Sequence, residues 1–412
     1  MASPARTKLN GGDIQLKLRQ SISEVEVPMT DKLEAQELKT LVQSVFSLTQ
    51  DDRHLLFIVD VPDDKLPDNE LWRTRRGLAQ GWYKELDAVK TDLGLESVGL
   101  LAYPNVHSNN ADLPPWGVLV DAELEDLTAD ILAGMDKRVA IEDILADVQI
   151  VMAPTQLSTT APLKLLATKH NFRAATMPGF SPAMVPALRI DYSKVNSRVN
   201  RISDEVTRAQ ALDIHFTVDE KERCDIHFDL RHREGHASGG RFPQMGVAGN
   251  LPSGECYIVP YEGELQDTSQ SSGVMPVQLG DEVVFYRIEK NKAVEILSQG
   301  AHSEAEAQRI KDEPAYANIS ELGFGVLKDF GLTPIGVTLL DEKLGLHIAF
   351  GRSDHFGGAV GVKDFSSPEA VVHIDRIYIP ETAPRIHVDA VNLIYPDGSS
   401  LELMRDGEYT IF

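Results

Sequence analysis

The feature that most constrains this 412-residue chain is a change of hydrophobic texture near residue 200. Before it, short apolar runs alternate with stretches of helical period. The runs at His54–Asp60, Ser97–Tyr103 and Val148–Ala153 read as strands, the first of them as buried and parallel. The segments 32–48, Leu71–Leu93, Ala161–His170 and 195–212 read as helices. Strands alternating with helices predict an open, mostly parallel α/β sheet. After residue 212 the runs become short and alternating, with few helices between them. Examples are Asp213–Val218, Cys224–Leu230, Glu255–Val259, Val283–Ile288, Leu346–Phe350, Ala370–Asp375 and Arg385–Asp389. The expectation is an N-terminal α/β domain over 1–200 and a β-rich α+β domain over 201–412, in a chain too long for one typical core. The polar residues 1–30 are expected to form an arm or an edge element. Thr176–Pro186, broken by three prolines, is expected to be a hinge or a loop at a strand end.

Composition narrows the partners. With 40 basic and 63 acidic residues, the formal net charge is -23. Most of such a surface repels phosphates, which argues against nucleic acid and anionic membrane. No apolar run approaches the roughly 20 residues of a membrane span, and the first residues lack the apolar core of a signal peptide. The expected location is the cytoplasm. Cys224 and Cys256 are the only cysteines, so a disulfide framework is excluded by count. Neither a phosphate-binding glycine loop nor a serine-hydrolase elbow is present.

Four patterns in the second half can carry chemistry. They are Asn250-Leu-Pro-Ser-Gly-Glu255, Asn318-Ile-Ser-Glu-Leu-Gly-Phe-Gly325, Asp341-Glu-Lys-Leu-Gly-Leu-His-Ile-Ala-Phe-Gly351 and His373-Ile-Asp375. In a strand, His373 and Asp375 project from one face. An imidazole beside a carboxylate suits Zn, Co, Mn or Fe. His347 stands in a short apolar run bracketed by glycines that admit a close neighbour. Glu255 and Glu321 also lie beside glycines, and a buried glutamate needs a cation, either a metal or one of Arg241, Arg352 and Arg376. Together the patterns supply three carboxylates and two imidazoles. That set suits two cations sharing a carboxylate, or one cation on a face of two histidines and one carboxylate.

In this order the four patterns resemble the aminopeptidase T and aminopeptidase S family of metallopeptidases, over roughly residues 200–400. The resemblance implies Glu255, Glu321, His347, His373 and Asp375 as metal ligands. It implies two divalent ions per chain (Zn, Co or Mn), a metal-activated water, a small-molecule or short-peptide substrate, and a homodimer. It makes the 201–412 domain the metal-binding catalytic one and the activity an aminopeptidase-like hydrolysis of a terminal peptide bond or related amide. Glu255 is then catalytic as well as a ligand, and Glu342 is by position either a general base or a group that orients a ligand.

One departure matters. The family places a tyrosine near the metals where this chain has Asp354, in Gly351-Arg-Ser-Asp-His-Phe-Gly357. A phenol that can donate to an oxyanion is replaced by an acceptor, with His355 beside it. Either His355 takes the donor role or the substrate differs. The related 2,5-dihydroxypyridine dioxygenases supply the alternative, a single Fe(II) on His347, His373 and Asp375 with Glu255 nearby. A metal-free scaffold is a third reading. Outside the four patterns, His227, His232 and His236 are expected to be solvated. Cys256 is expected to face the core. Arg73, Arg75 and Arg76 are expected on a salt-bridged surface or a substrate rim.

Overall fold

The computed structural model describes residues 32–412 apart from 122, 266, 368 and 369, so the expected arm at 1–30 lies outside the described residues. The run His54–Val61 is the fourth strand of a seven-stranded sheet. Its side chains alternate between two cores. Leu55, Phe57 and Val59 pack with Val42, Trp82 and Leu86, whereas Leu56 and Ile58 pack with Leu145, Leu163 and Ala167. Helices thus cover both faces, which is why the run shows no polar alternation. Ala248–Asn250, Arg173–Thr176, Ile150–Ala153, His54–Val61 and Ser97–Pro104 lie side by side in parallel. Trp116–Leu119 and Arg138–Ala140 complete the far edge antiparallel.

Local chemistry sets the helix ends. The Asn69 side chain accepts from Trp72 N at 2.9 Å and starts the helix Glu70–Val89. Asp191 does the same for Tyr192–Arg208, which buries Val195, Val199, Ile202 and Val206 at helical spacing. The proline-rich Thr176–Pro186 segment ends a strand and turns into the 3₁₀ helix Pro182–Leu188.

Two antiparallel sheets follow among the described residues. One has eight strands, in the order Lys292–Ile296, Glu282–Glu289, Ser272–Leu279, Glu222–Asp229, Ala211–Val218, Ile386–Ile394, Ser400–Arg405 and Glu408–Tyr409. The other has five, in the order His373–Ile377, Leu346–Gly351, Ile319–Gly325, Glu255–Ile258 and His236–Ser238. Cys256, Ile258, Leu322, Phe324, Ile348 and Phe350 of the five-stranded sheet are buried in the core. Phe350 meets the rings of Tyr286 and Tyr316 there, at 5.1 and 5.4 Å. Among the described residues, no helix is long and apolar enough to cross a membrane.

One expectation is corrected. Arg75 and Arg76 are buried, not on a surface or rim. Arg76 makes a forked pair with Asp68 at 2.8 and 3.1 Å, and Arg75 donates to the Phe180 carbonyl and to Gln156. The loops after the parallel strands carry carbonyls and acids that absorb both guanidinium groups. Arg73 alone stays half exposed, paired with Asp68 at 3.2 Å.

Candidate metal centre

The pleat of the five-stranded sheet gathers the sequence motifs. Residues directly opposite in antiparallel strands share a face, as do residues two apart in one strand. Glu255 lies opposite Gly325, Tyr257 opposite Gly323, and Gly323 opposite His347. Ala349 lies opposite both Glu321 and Asp375, and Gly351 opposite His373. One face therefore carries Glu255, Tyr257, Glu321, His347, His373 and Asp375. Between them on that face lie small residues, Gly323, Gly325, Ala349 and Gly351.

The small residues make room. A Cβ on Gly323 would meet His347 Nε2 at 1.9 Å and Cε1 at 2.0 Å, so the imidazole lies directly against that glycine. A Cβ on Gly325 would meet the Lys343 backbone at 2.2 Å, which lets the turn Glu342–Leu344 press onto the sheet.

Two groups of potential ligand atoms result, Glu255–Glu321–His347 and Glu321–His373–Asp375, each with its atoms within 4.8 Å of one another. Glu321 belongs to both and divides its oxygens between them. Oε1 lies 3.5 Å from His347 Nε2, and Oε2 lies 3.0 Å from His373 Nε2. Glu255 Oε2 stands 3.5 Å from His347 Nε2, and Asp375 Oδ1 stands 3.5 Å from His373 Nε2. Ligand atoms about 2.0–2.2 Å from one tetrahedral ion stand roughly 3.3–3.6 Å apart. Glu255 Oε2 is buried and has no hydrogen-bond partner. His373 Nδ1 sits 2.9 Å from the Arg352 carbonyl and 3.2 Å from Ser320 Oγ. Donation from Nδ1 to that carbonyl leaves Nε2 bare toward Glu321 and Asp375, as a ligand must be. By spacing, orphaned oxygen and tautomer, the residues of these two groups could hold divalent metal.

The electrostatics follow from burial against close charge. Burial works against a charged His347, but the Glu321 contact and the charges of Glu255 and Asp375 raise it to about 9. His373 is half-buried; desolvation opposes its charge, but Asp375 and Glu321 hold it well above its ordinary value. Burial opposes ionisation of Glu321, yet His347 and His373 bring it down to about 2. The same competition, won by His373, His347 and Lys343, holds Asp375 well below the usual range. Burial pushes Glu342 up to about 8 despite Lys343, with Asp375 and Glu255 adding to the rise.

Lys343 escaped the sequence reasoning. It is 2 % exposed, and its Nζ lies 2.5 Å from Glu255 Oε1 while also bonding Glu342 Oε1. The expected partners of Glu255 were metal or arginine, and a lysine has taken one of its oxygens. Arg241 instead donates to the Ser44 carbonyl and to Ser47. Beside the proposed base Glu342, Lys343 reads in sequence as an ordinary polar turn.

These groups form one end of a cleft of about 420 Å³. Its wall includes Tyr257, whose outer side meets the His236 ring at 5.2 Å, and Phe356, 4.8 Å from Tyr257 and 5.2 Å from His373. Opposite stand Ser158, Thr160 and Lys164 from the first half, with Asn250. Asn250 Oδ1 accepts from Thr160 and Thr176 at 3.0 and 2.9 Å. Lys164 and Arg241 line the cleft without a carboxylate partner among the described residues. Residues 237–239, 241–242 and 247–249 also line the cleft, and Cys256 is buried. His227 pairs with Asp213 at 2.6 Å, away from the cleft.

Of the remaining expected residues, Glu342 and His355 line the cleft. Burial lowers His355 to about 4, with His373 and Arg352 adding to the effect, so its imidazole is neutral. Asp354 does not line the cleft. Its carboxylate accepts from Arg352 Nε at 2.6 Å.

No protein-family profile and no curated protein matches this sequence. Its fold is shared by solved structures. A 2,5-dihydroxypyridine dioxygenase from Pseudomonas putida KT2440 aligns at TM-score 0.57 and 16% identity, covering 92% of this chain and 99% of its own. Wild-type AmpT from Thermus thermophilus aligns at TM-score 0.52 and 15% identity, covering 91% and 99%. At such identity the likeness shows the fold alone. Largely parallel and antiparallel sheets arranged in this way occur in enzymes.

Proposed function

We propose that this chain is a two-metal hydrolase of a terminal peptide bond or related amide, with Glu255, Glu321, His347, His373 and Asp375 as ligands. The observation that carries the reading is Glu321, whose two oxygens face separate histidines in two ligand groups. Divalent ions held there supply a water of lowered pKa and a Lewis acid for the carbonyl. Glu342, raised to about 8 and in the cleft, is suited to take a proton near neutral pH. Tyr257, on the ligand face and in the cleft, offers a neutral hydroxyl to a developing oxyanion. It does so from the strand Glu255–Ile258, whereas Asp354 opens the short 3₁₀ helix Asp354–Phe356. Phe356 and Tyr257 give that end of the cleft an aromatic wall.

The second reading is the Fe(II) ring-cleaving dioxygenase. Lys343 favours it, because an ammonium already compensates Glu255 and leaves room for a one-cation site. The separating experiment loads ion-free protein in parallel with excess Zn, Co or, without air, Fe(II), removes unbound metal and counts ions. The hydrolase reading expects two per chain and loss of both in Glu321→Ala, with release of amino termini from short peptides or amides. One Fe per chain that survives Glu321→Ala, with oxygen uptake on aromatic diols, overturns it.

A further inference from the structure

Both readings treat the ligand groups as given, but Lys343 makes them different. The turn that carries it is pressed onto Gly325, where a Cβ would meet Lys343 O at 2.4 Å, and Gly325 N donates to Gly345 O at 2.9 Å. The ammonium is therefore held in place by backbone packing, and it is 2 % exposed. It bonds Glu255 Oε1 and Glu342 Oε1. The other pole has no cation in direct contact: among the described residues, Asp375 pairs with His373 and with no lysine or arginine.

Charge can be assigned to each pole with Glu321 shared equally. At the Glu255–His347 pole an ammonium is bonded directly to a candidate ligand carboxylate. At the His373–Asp375 pole no lysine or arginine is bonded to Asp375 among the described residues, and Lys343 acts on it only from farther off. A divalent cation entering the first pole also meets a buried ammonium at close range, where screening by water is weak.

We propose that Lys343 makes the two cation positions unequal: the Glu321–His373–Asp375 position fills first and tightly, and the Glu255–Glu321–His347 position fills second and more weakly. Lys343 acts here as a positioning and charge-setting residue and not as a ligand. The inference rests on the metal-binding reading above. It gives the protein a state with one ion and a state with two, separated by the free ion concentration.

The test is a stepwise titration of the ion-free full chain with Zn, followed by calorimetry and by ion counting after dialysis at fixed free Zn. The wild type is expected to show two steps at least tenfold apart in Kd. His373→Ala should remove the tight step, and Glu255→Gln the weak one. Lys343→Met should tighten the weak step about tenfold or more, whereas Lys343→Arg, which keeps the charge, should preserve the gap. If Lys343→Met does not fold, the wild-type isotherm and the two ligand variants still decide the matter. Two equal steps in the wild type, or an unchanged gap in folded Lys343→Met, overturn the inference and leave the two-metal reading standing. No Zn binding at all overturns both.

Discussion

A single methyl group tests the site most sharply. Gly323 sits in a strand at a backbone angle alanine can adopt, so Gly323→Ala adds volume without backbone strain. Its Cβ would fall 1.9 Å from His347 Nε2, 2.0 Å from Cε1 and 2.6 Å from Cδ2. Ordinary contact needs about 3.4–4 Å, so the ring must retreat by roughly 1.5 Å. His347 is 1 % exposed and has little space to retreat into. Overpacking of this kind costs about 1–3 kcal/mol. Metal ligation tolerates errors of only about 0.2 Å, so the Glu255–Glu321–His347 group should lose its ion while Glu321–His373–Asp375 keeps one. Gly81→Ala is the control. It lies in the helix Glu70–Val89 with nothing within 4 Å of its added Cβ, and should stabilise by about 0.5–1 kcal/mol. Ion counting on Zn-loaded protein, with thermal melting of both variants, reads the result. A Gly323→Ala protein that melts slightly lower yet holds two ions with unchanged affinity would falsify the role given to this strand face.

The remaining predictions concern protons and the phenol. In ion-free protein His347 titrates at about 9 in the folded state, against about 6.5 unfolded. Its folded value is raised, so its stabilisation is complete below about 6.5 and is lost as pH rises through 9. That amounts to roughly 2–4 kcal/mol. Ion-free protein should therefore melt at falling temperature from pH 6.5 to 9.5, while Zn-loaded protein, whose histidines carry no proton, should not. Parallel curves with and without Zn would refute this. Tyr257→Phe should keep ion content and KM and lower kcat by about 10²-fold on the hydrolysed substrate; an unchanged kcat removes Tyr257 from the chemistry.

Much of this was legible in the sequence for definite reasons. Buried parallel strands such as His54–Val61 announce themselves as unbroken apolar runs. Glycines beside Glu321 and His347 marked close approach, and the structure shows the imidazole lying on Gly323. Three things were not legible. Ala248–Asn250 has three residues and no apolar run, and becomes a strand only because Arg173–Thr176 offers an open edge. Arg75 and Arg76 look solvated because their acceptors are distant backbone carbonyls and Asp68. Lys343 looks like a turn residue because its burial arises from the packing of that turn on Gly325.

The short strand Ala248–Asn250 bears on how such a protein can change over time. It closes the edge of the parallel sheet, and five residues later the same backbone delivers Glu255 to the other sheet. Asn250 is tied to Thr160 and Thr176 on the way. The wall that faces a substrate and a candidate ligand are thus consecutive parts of one segment. Recombination that replaced the first half with a foreign α/β sheet would have to import an edge matching Arg173–Thr176, or else displace Glu255. New specificities in this architecture are therefore more accessible through point changes along the cleft, at positions such as Lys164 or Ser158, than through exchange of whole halves.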